Sequence, residues 1–277
     1  MYPIIDKQIL APSIAKLIVE APLIAKKRKA GNFVIVRASE YGERIPFTIV
    51  DSDPENGTIT LIIQAIGKSS DDITRLEPGD HFLDVVGPLG EATPIKNSGT
   101  VVCIGGGVGT AVIYPIAKAL KNAGNTVISI IGARNKEMII LEEEMDKVSD
   151  ELIITTDDGS AGVKGFVTNA LQEIMGKNPD LATVYAIGPL PMMKAVSGVT
   201  KPAGIKTYVS LNPIMMDGTG MCGACRVTVG GEMKFACVDG PEFDAHQIEF
   251  DELIARNNSY RDVEQHAYHQ CRQESQT

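Results

Sequence analysis

The chain has 277 residues, 44% of them hydrophobic and 22% charged, with 35 acidic against 26 basic side chains and a formal net charge of -9. That length suits two compact units plus a small appendage, and the composition is that of an ordinary water-soluble globular protein. So negative a surface repels nucleic acid and anionic lipid, so neither is expected as a partner.

Residues 1–98 read as an antiparallel β-barrel. The opening stretch, MYPIIDKQIL, has no basic segment leading into an apolar core, so no secretory leader is expected. Short β-type runs at Asn32 to Arg37, Thr58 to Ile63 and Phe82 to Val86 are separated by the turn signals Asp53-Pro-Glu-Asn-Gly57, Glu77-Pro-Gly-Asp80 and Gly87-Pro-Leu-Gly90. Two elements here have the chemistry for a phosphorylated ligand. In Arg44-Ile-Pro-Phe-Thr48 a guanidinium can neutralise phosphate and a hydroxyl can bond a ring edge. In Gly67-Lys-Ser-Ser70 the small residues and the hydroxyls of Ser69 and Ser70 can hold a pyrophosphate. Taken alone, an edge-strand arginine and an ordinary turn describe them as well.

Residues 99–210 change character. Strands at Thr100 to Ile104, Thr126 to Ile131, Leu152 to Thr156 and Val184 to Ile187 alternate with helical segments at Val112 to Asn122, Glu142 to Val148, Val167 to Met175 and Met192 to Val196. This alternation predicts a doubly wound α/β domain with a parallel sheet. Val101 to Leu120 is apolar enough to imitate a membrane span. The glycines near its start and Lys118 near its end favour a strand, a turn and a helix instead. That turn, Gly105-Gly-Gly-Val-Gly-Thr-Ala111, lies between strand and helix, where phosphate meets backbone N–H groups and the positive end of the helix dipole. A branched side chain at Gly109 is expected to fill the space where backbone meets pyrophosphate. The spacing departs from G-x-G-x-x-G, and the next strand ends in Gly132-Ala-Arg134-Asn-Lys136 rather than in an acid. Gly188-Pro189 ends another parallel strand, where ligands of such sheets sit and where a plain turn looks the same. Cys103 reads as a core residue, and Glu142 to Glu144 as a solvated helix face.

Residues 211–248 are rich in glycine and cysteine and too short for an apolar core of their own, which points to a metal-held segment. The run Asp217-Gly-Thr-Gly-Met-Cys222-Gly-Ala-Cys225, followed by Cys237, keeps the x4 and x2 spacings of a plant-type [2Fe–2S] loop, with aspartate in first place. A zinc site of three cysteines and one aspartate is the alternative. An odd total of five cysteines, three of them crowded here, argues against a disulfide framework and for a reducing, cytoplasmic setting. Residues 249–277 read as a helix from Phe250 to Arg256 and a polar tail, in which His266, His269 and Cys271 form a weak metal candidate.

In this order the motifs resemble the ferredoxin–NADP reductase superfamily over nearly the whole chain, in the branch of dihydroorotate dehydrogenase electron-transfer subunits. They are similar above all to the small subunits of NADH-dependent reduced ferredoxin:NADP oxidoreductases, also described as sulfide dehydrogenases. Asp217 in the first ligand position, the Phe235 to Asp244 run and the Ala245 to Leu253 ending carry that likeness. The resemblance implies a barrel that binds FAD, a nucleotide domain that binds NAD(H), and a small C-terminal [2Fe–2S] segment. Arg44, Pro46, Phe47 and Thr48 then match the flavin motif, and Gly67 and Ser70 the pyrophosphate element. Gly105, Gly106, Gly107, Val108, Gly109 and Thr110 match the dinucleotide loop, and Gly188 and Pro189 its counterpart near the nicotinamide. Asp217, Cys222, Cys225 and Cys237 match the cluster ligands. From the residues alone, Arg134 and Lys136 can either grip a 2′-phosphate, which would suit NADP(H), or simply face solvent, and the resemblance favours NAD(H). The implied activity is electron transfer among NAD(H), FAD and the cluster, with no acid–base residue required. The implied partner is a larger flavin and iron–sulfur subunit that bifurcates electrons and reaches ferredoxin. Two other readings stand beside it, an electron-transfer subunit of class B dihydroorotate dehydrogenase and a zinc-stabilised nucleotide-binding regulator.

Overall fold

The computed structural model describes residues 1–274, and the side chains of residues 1–268. In chain order the elements are β1 (Tyr2–Ala11), β2 (Ile14–Glu20), α1 (Pro22–Lys27), β3 (Phe33–Arg37), β4 (Ile45–Thr48), β5 (Asp51–Asp53), β6 (Thr58–Gln64), α2 (Lys68–Thr74), β7 (His81–Phe82) and β8 (Asp84–Leu89). There follow β9 (Thr100–Gly106), α3 (Gly109–Asn122), β10 (Thr126–Ala133), α4 (Glu142–Lys147), β11 (Glu151–Thr156), β12 (Val163–Lys164), α5 (Val167–Lys177), β13 (Leu181–Ile187), α6 (Leu190–Thr200) and β14 (Lys206–Ser210). The last are β15 (Arg226–Val229), β16 (Glu232–Phe235), β17 (Glu242–Asp244), α7 (Phe250–Asn257) and α8 (Arg261–Glu274).

The first eight strands form two antiparallel sheets, of order β5-β6-β2-β1-β7 and β4-β3-β8. Alternating apolar residues, such as Leu17 and Val19 on β2 and Ile59, Leu61 and Ile63 on β6, point inward to meet Val34, Val36 and Val85 from the smaller sheet. Phe82 is fully buried among them. The β4 strand lies at an edge, which is where a strand carrying Pro46 belongs, since proline has no N–H to give a neighbour. The strand β1, the helix α1 and the C-terminal helix α8 extend what periodicity alone indicated. Arg261 to Glu274 is helical rather than an irregular polar tail.

The second layer is a seven-stranded sheet of order β12-β11-β10-β9-β13-β14-β17, parallel except for β17. Its central strands are buried on both faces, which explains their continuous runs of Val and Ile. The apolar stretch from Val101 to Leu120 is β9, the glycine turn and α3, and no helix among the described residues is long and apolar enough to cross a membrane. Residues after Ser210 are not a free appendage. The β17 strand pairs with β14, and Cys225, Val227, Cys237, Phe250 and Leu253 share one core with Phe33 and Ile35 of the first sheets and Ile104 and Val184 of the large sheet.

Candidate functional site

The flavin-type motif occupies β4. Phe47 sits opposite Val34 and Thr48 opposite Phe33 on β3, so the outer edge of β4 is left open for a planar ring to bond. The preceding Glu43 accepts a hydrogen bond from the Ser69 hydroxyl, which brings the Arg44 to Thr48 segment beside the start of α2. A Cβ added at Gly67 would meet nothing within 4 Å, so this turn offers open space for a pyrophosphate. The two serines there differ. Ser69 is half-buried and paired with Glu43, whereas the buried Ser70 Oγ accepts from Ile66 and Gly67 N–H (both 3.0 Å) and caps its own helix. Ser70 therefore shapes the turn, and Ser69 presents the exchangeable hydroxyl.

The dinucleotide-type loop lies at the C-terminal end of β9, against the end of β13. A Cβ at Gly109 would stand 2.2 Å from the Ile187 carbonyl oxygen. One at Gly188 would stand 3.1 Å from the Gly106 Cα, and one at Gly106 would stand 2.4 Å from the Met192 Sδ. These glycines let two strand ends and two helix starts close on each other. The missing side chain of Gly109 makes room for protein backbone, so a branched side chain there would first strike Ile187. The open position is Gly107, at φ +57°, where a Cβ would meet nothing within 4 Å. Val108 beside it is half-exposed and opens α3, and Thr110 Oγ1 is buried there without a hydrogen-bond partner. An unsatisfied hydroxyl and an open glycine at a helix start suit a bound phosphate group. Pro189 is exposed at the mouth of the same junction. Arg134 is exposed at the end of β10, and its carbonyl accepts from Asp158 N–H at 3.3 Å, so the carboxylates of Asp157 and Asp158 follow the neighbouring strand β11.

The cysteine loop runs from the end of β14 to β15 and returns after β16. All three of its thiols are free of disulfides. Cys225 and Cys237 are buried, and Cys222 is exposed at the loop's outer side. Burial, and then the bond and charge of Cys225, push the Cys237 thiol up to about 12, while an N–H from Gly220 works the other way. A soft cation bound here would replace the proton that burial keeps on Cys237. Among the described residues no three His, Cys, Asp or Glu side chains close around a single metal-ion position. Asp217 precedes these cysteines in the same loop. Its Oδ2 accepts from Thr219 N–H (2.9 Å), the Thr219 hydroxyl and Met221 N–H (3.4 Å), and these bonds with the Arg44 charge hold the carboxyl below its usual range.

The loop is seated on the barrel. Arg44 Nε donates to the Met216 carbonyl at 2.7 Å, and a Cβ at Gly218 would strike Ile35 and Leu89 at 2.6 and 2.7 Å. Motif spacing places neither Glu43 nor the Arg44–Met216 bond, since both depend on contacts between distant segments. Cys103 is fully buried on β9. The side chains of His269 and Cys271 lie outside the described residues.

Comparison with known proteins agrees with this geometry. Residues 212–249 match the family model of the iron–sulfur cluster binding domain of dihydroorotate dehydrogenase B, and residues 103–198 match that of the oxidoreductase NAD-binding domain. The chain is 45% identical over 265 residues to the dihydroorotate dehydrogenase B (NAD(+)) electron transfer subunit homolog of Thermotoga maritima, covering 96% of this chain and 93% of that one. It is 33% identical to the electron transfer subunit of Geobacillus thermodenitrificans dihydroorotate dehydrogenase B, covering 88% and 96%. Its structure superposes with a TM-score of 0.92 and 44% identity, over 98% and 97% of the chains, on a chain of the NADH-dependent reduced ferredoxin-NADP oxidoreductase solved for insight into flavin-based electron bifurcation. Phthalate dioxygenase reductase, at 18% identity and a TM-score of 0.61, shares the fold.

Proposed function

The chain belongs to the family of dihydroorotate dehydrogenase B electron transfer subunits and their homologues, and from that premise we propose that it carries electrons between NAD(H), FAD and a [2Fe–2S] cluster within an electron-bifurcating ferredoxin:NAD(P) oxidoreductase complex. The observation that carries this reading is the seating of the cysteine loop on the barrel at the flavin-type motif. The β4 motif meets the cysteine loop through Arg44 and Met216, and the glycine loop opens at the C-terminal end of the parallel sheet. Residues 1–98 then form the FAD unit, 99–210 the NAD(H) unit and 211–248 the cluster segment, with 249–277 as its C-terminal support.

Each part of the chain has a physical task. Arg44 supplies positive charge for the flavin phosphates through the nitrogens that do not bond Met216, and Ser69 adds a hydroxyl. Phe47 and Thr48, with Pro46 holding the edge free, give the ring an apolar face and a bonding partner. Gly107, Val108 and the N–H groups at the start of α3 receive the dinucleotide phosphates, and Gly105, Gly106, Gly109, Thr110, Gly188 and Pro189 shape that pocket. Asp157 and Asp158 beside Arg134 favour NAD(H), because carboxylates repel a 2′-phosphate. Cys222, Cys225, Cys237 and Asp217 are the ligands, with Asp217 Oδ1 free of the bonds that hold Oδ2. Bound here, FAD converts the two-electron chemistry of nicotinamide into the single-electron chemistry of the cluster. The family's chains are subunits, so a larger subunit is the partner. We place ferredoxin on that subunit and the assembly in the cytoplasm. Analysis of the purified chain for FAD, iron and acid-labile sulfide tests this. One FAD and two each of iron and sulfide per chain are expected, and a colourless zinc protein would refute it.

A further inference from the structure

The helix α7 reaches back to the cysteine loop with two consecutive residues. Arg256 donates from one guanidinium nitrogen to the Arg226 carbonyl (3.0 Å) and from the other to the Ala224 carbonyl (3.2 Å). These are the two carbonyls that flank Cys225. Asn257 donates to the Asn212 carbonyl (3.1 Å), at the other end of the loop. Its own Oδ1 is buried and bonds no other protein group. Phe250 and Leu253 anchor the helix in the core that also holds Cys225 and Cys237. The family model of the cluster domain ends at residue 249, before either clamp residue.

We propose that Arg256 is a positioning residue for the cluster, a two-pronged clamp that fixes the backbone on both sides of Cys225 and sets a permanent positive charge beside it. This rests on the cluster reading of the loop. The fork matters because a guanidinium spans two carbonyls in one plane, which an ammonium cannot do. The charge matters because reduction makes the site one unit more negative, so a nearby cation favours the reduced state. Burial, followed by the neighbouring Arg226, lowers the Arg256 guanidinium below its ordinary value, while Glu252, Cys225 and Tyr260 act in the opposite sense. Arg226 itself is exposed and bonds the Gly223 carbonyl (3.2 Å), so it holds the loop from outside rather than from behind.

The test is a redox titration followed by electron paramagnetic resonance, with a parallel chelator-bleaching rate, on the cofactor-loaded full chain and its Arg256→Gln and Arg256→Lys variants. Arg256→Gln is expected to lower the reduction equilibrium constant at least threefold, a shift to more negative potential, and to bleach faster. Arg256→Lys is expected to restore the potential but not the bleaching rate. A wild-type potential in Arg256→Gln overturns the proposal, as does wild-type bleaching in Arg256→Lys. If Arg256→Gln retains no cluster, Arg256→Lys decides alone, since wild-type potential with faster bleaching supports the clamp. A wild-type chain without iron would overturn the cluster reading and this inference together, and iron analysis shows that before any titration.

Discussion

Arg44 and Met216, 172 positions apart in the chain, are joined by a 2.7 Å hydrogen bond from the arginine Nε to the methionine carbonyl. One nitrogen of a residue suited to flavin phosphate is thereby committed to the backbone just ahead of Asp217. On the proposed function the flavin site and the cluster loop share this side chain, so damage at one should be felt at the other.

Arg44→Ala is therefore expected to lower FAD occupancy and to speed cluster loss. Each charge-assisted bond contributes about 1.5–3 kcal/mol, so flavin affinity should fall about tenfold or more. Flavin content after gel filtration and the bleaching rate of the cluster check this. Normal values of both would detach Arg44 from the site.

Gly107 and Gly109 should respond differently to the same substitution. Gly109→Val drives a side chain into the Ile187 carbonyl and is expected to abolish the folded chain. Gly107→Val points into open space at a left-handed backbone position, at a cost of about 1–2 kcal/mol. It should leave a folded, coloured protein that binds NADH at least tenfold more weakly. Thermal melts and NADH titration of the two variants would separate packing from binding. An unchanged NADH affinity in Gly107→Val would put the dinucleotide elsewhere.

Glu242 should make stability depend on pH. It lies on β17, and its Oε1 accepts from the Thr93 hydroxyl at 2.7 Å while its Oε2 is buried with no partner. Burial raises its pKa from 4.5 to about 7, and the Thr93 bond opposes the rise. A carboxyl with a raised folded pKa stabilises the native state fully below pH 4.5 and loses that contribution as pH climbs through 7. Relative to Glu242→Gln, the wild type should lose about 1–3 kcal/mol between pH 4.5 and 8. Denaturant melts of both proteins at several pH values check it, and parallel pH profiles would contradict it.

The sequence made the alternation of strands and helices from Thr100 to Thr200 legible, because buried parallel strands leave unbroken runs of Val and Ile. The glycine turn and the cysteine spacing were legible for a similar reason, as each needs particular residue types at fixed intervals. The division of labour among the glycines was not. Gly107 and Gly109 are two positions apart, and only the approach of β13 shows which one faces backbone and which faces space. The clamp of Arg256 and Asn257, the Glu43–Ser69 bond and the pairing of β17 with β14 were equally hidden, since they join segments whose separation no local period encodes.

Asp217 is expected to serve as the fourth ligand through Oδ1. A carboxylate is a harder donor than a thiolate, so its replacement alters the electronics of the bound cluster. Asp217→Cys should retain the cluster with a changed paramagnetic signal and potential. Asp217→Ala should lose both the ligand and the cap that holds Thr219 and Met221, and so bleach quickly. If Asp217→Cys left signal and potential as in the wild type, Asp217 would be a loop cap alone.

The most direct measurement of the central claim is an anaerobic NADH titration of the cofactor-loaded chain, followed by absorbance and electron paramagnetic resonance. The account predicts that NADH bleaches the flavin and that a [2Fe–2S] signal then grows toward one spin per chain. Flavin bleaching with no spin, or a chain that NADH leaves oxidised, would contradict it.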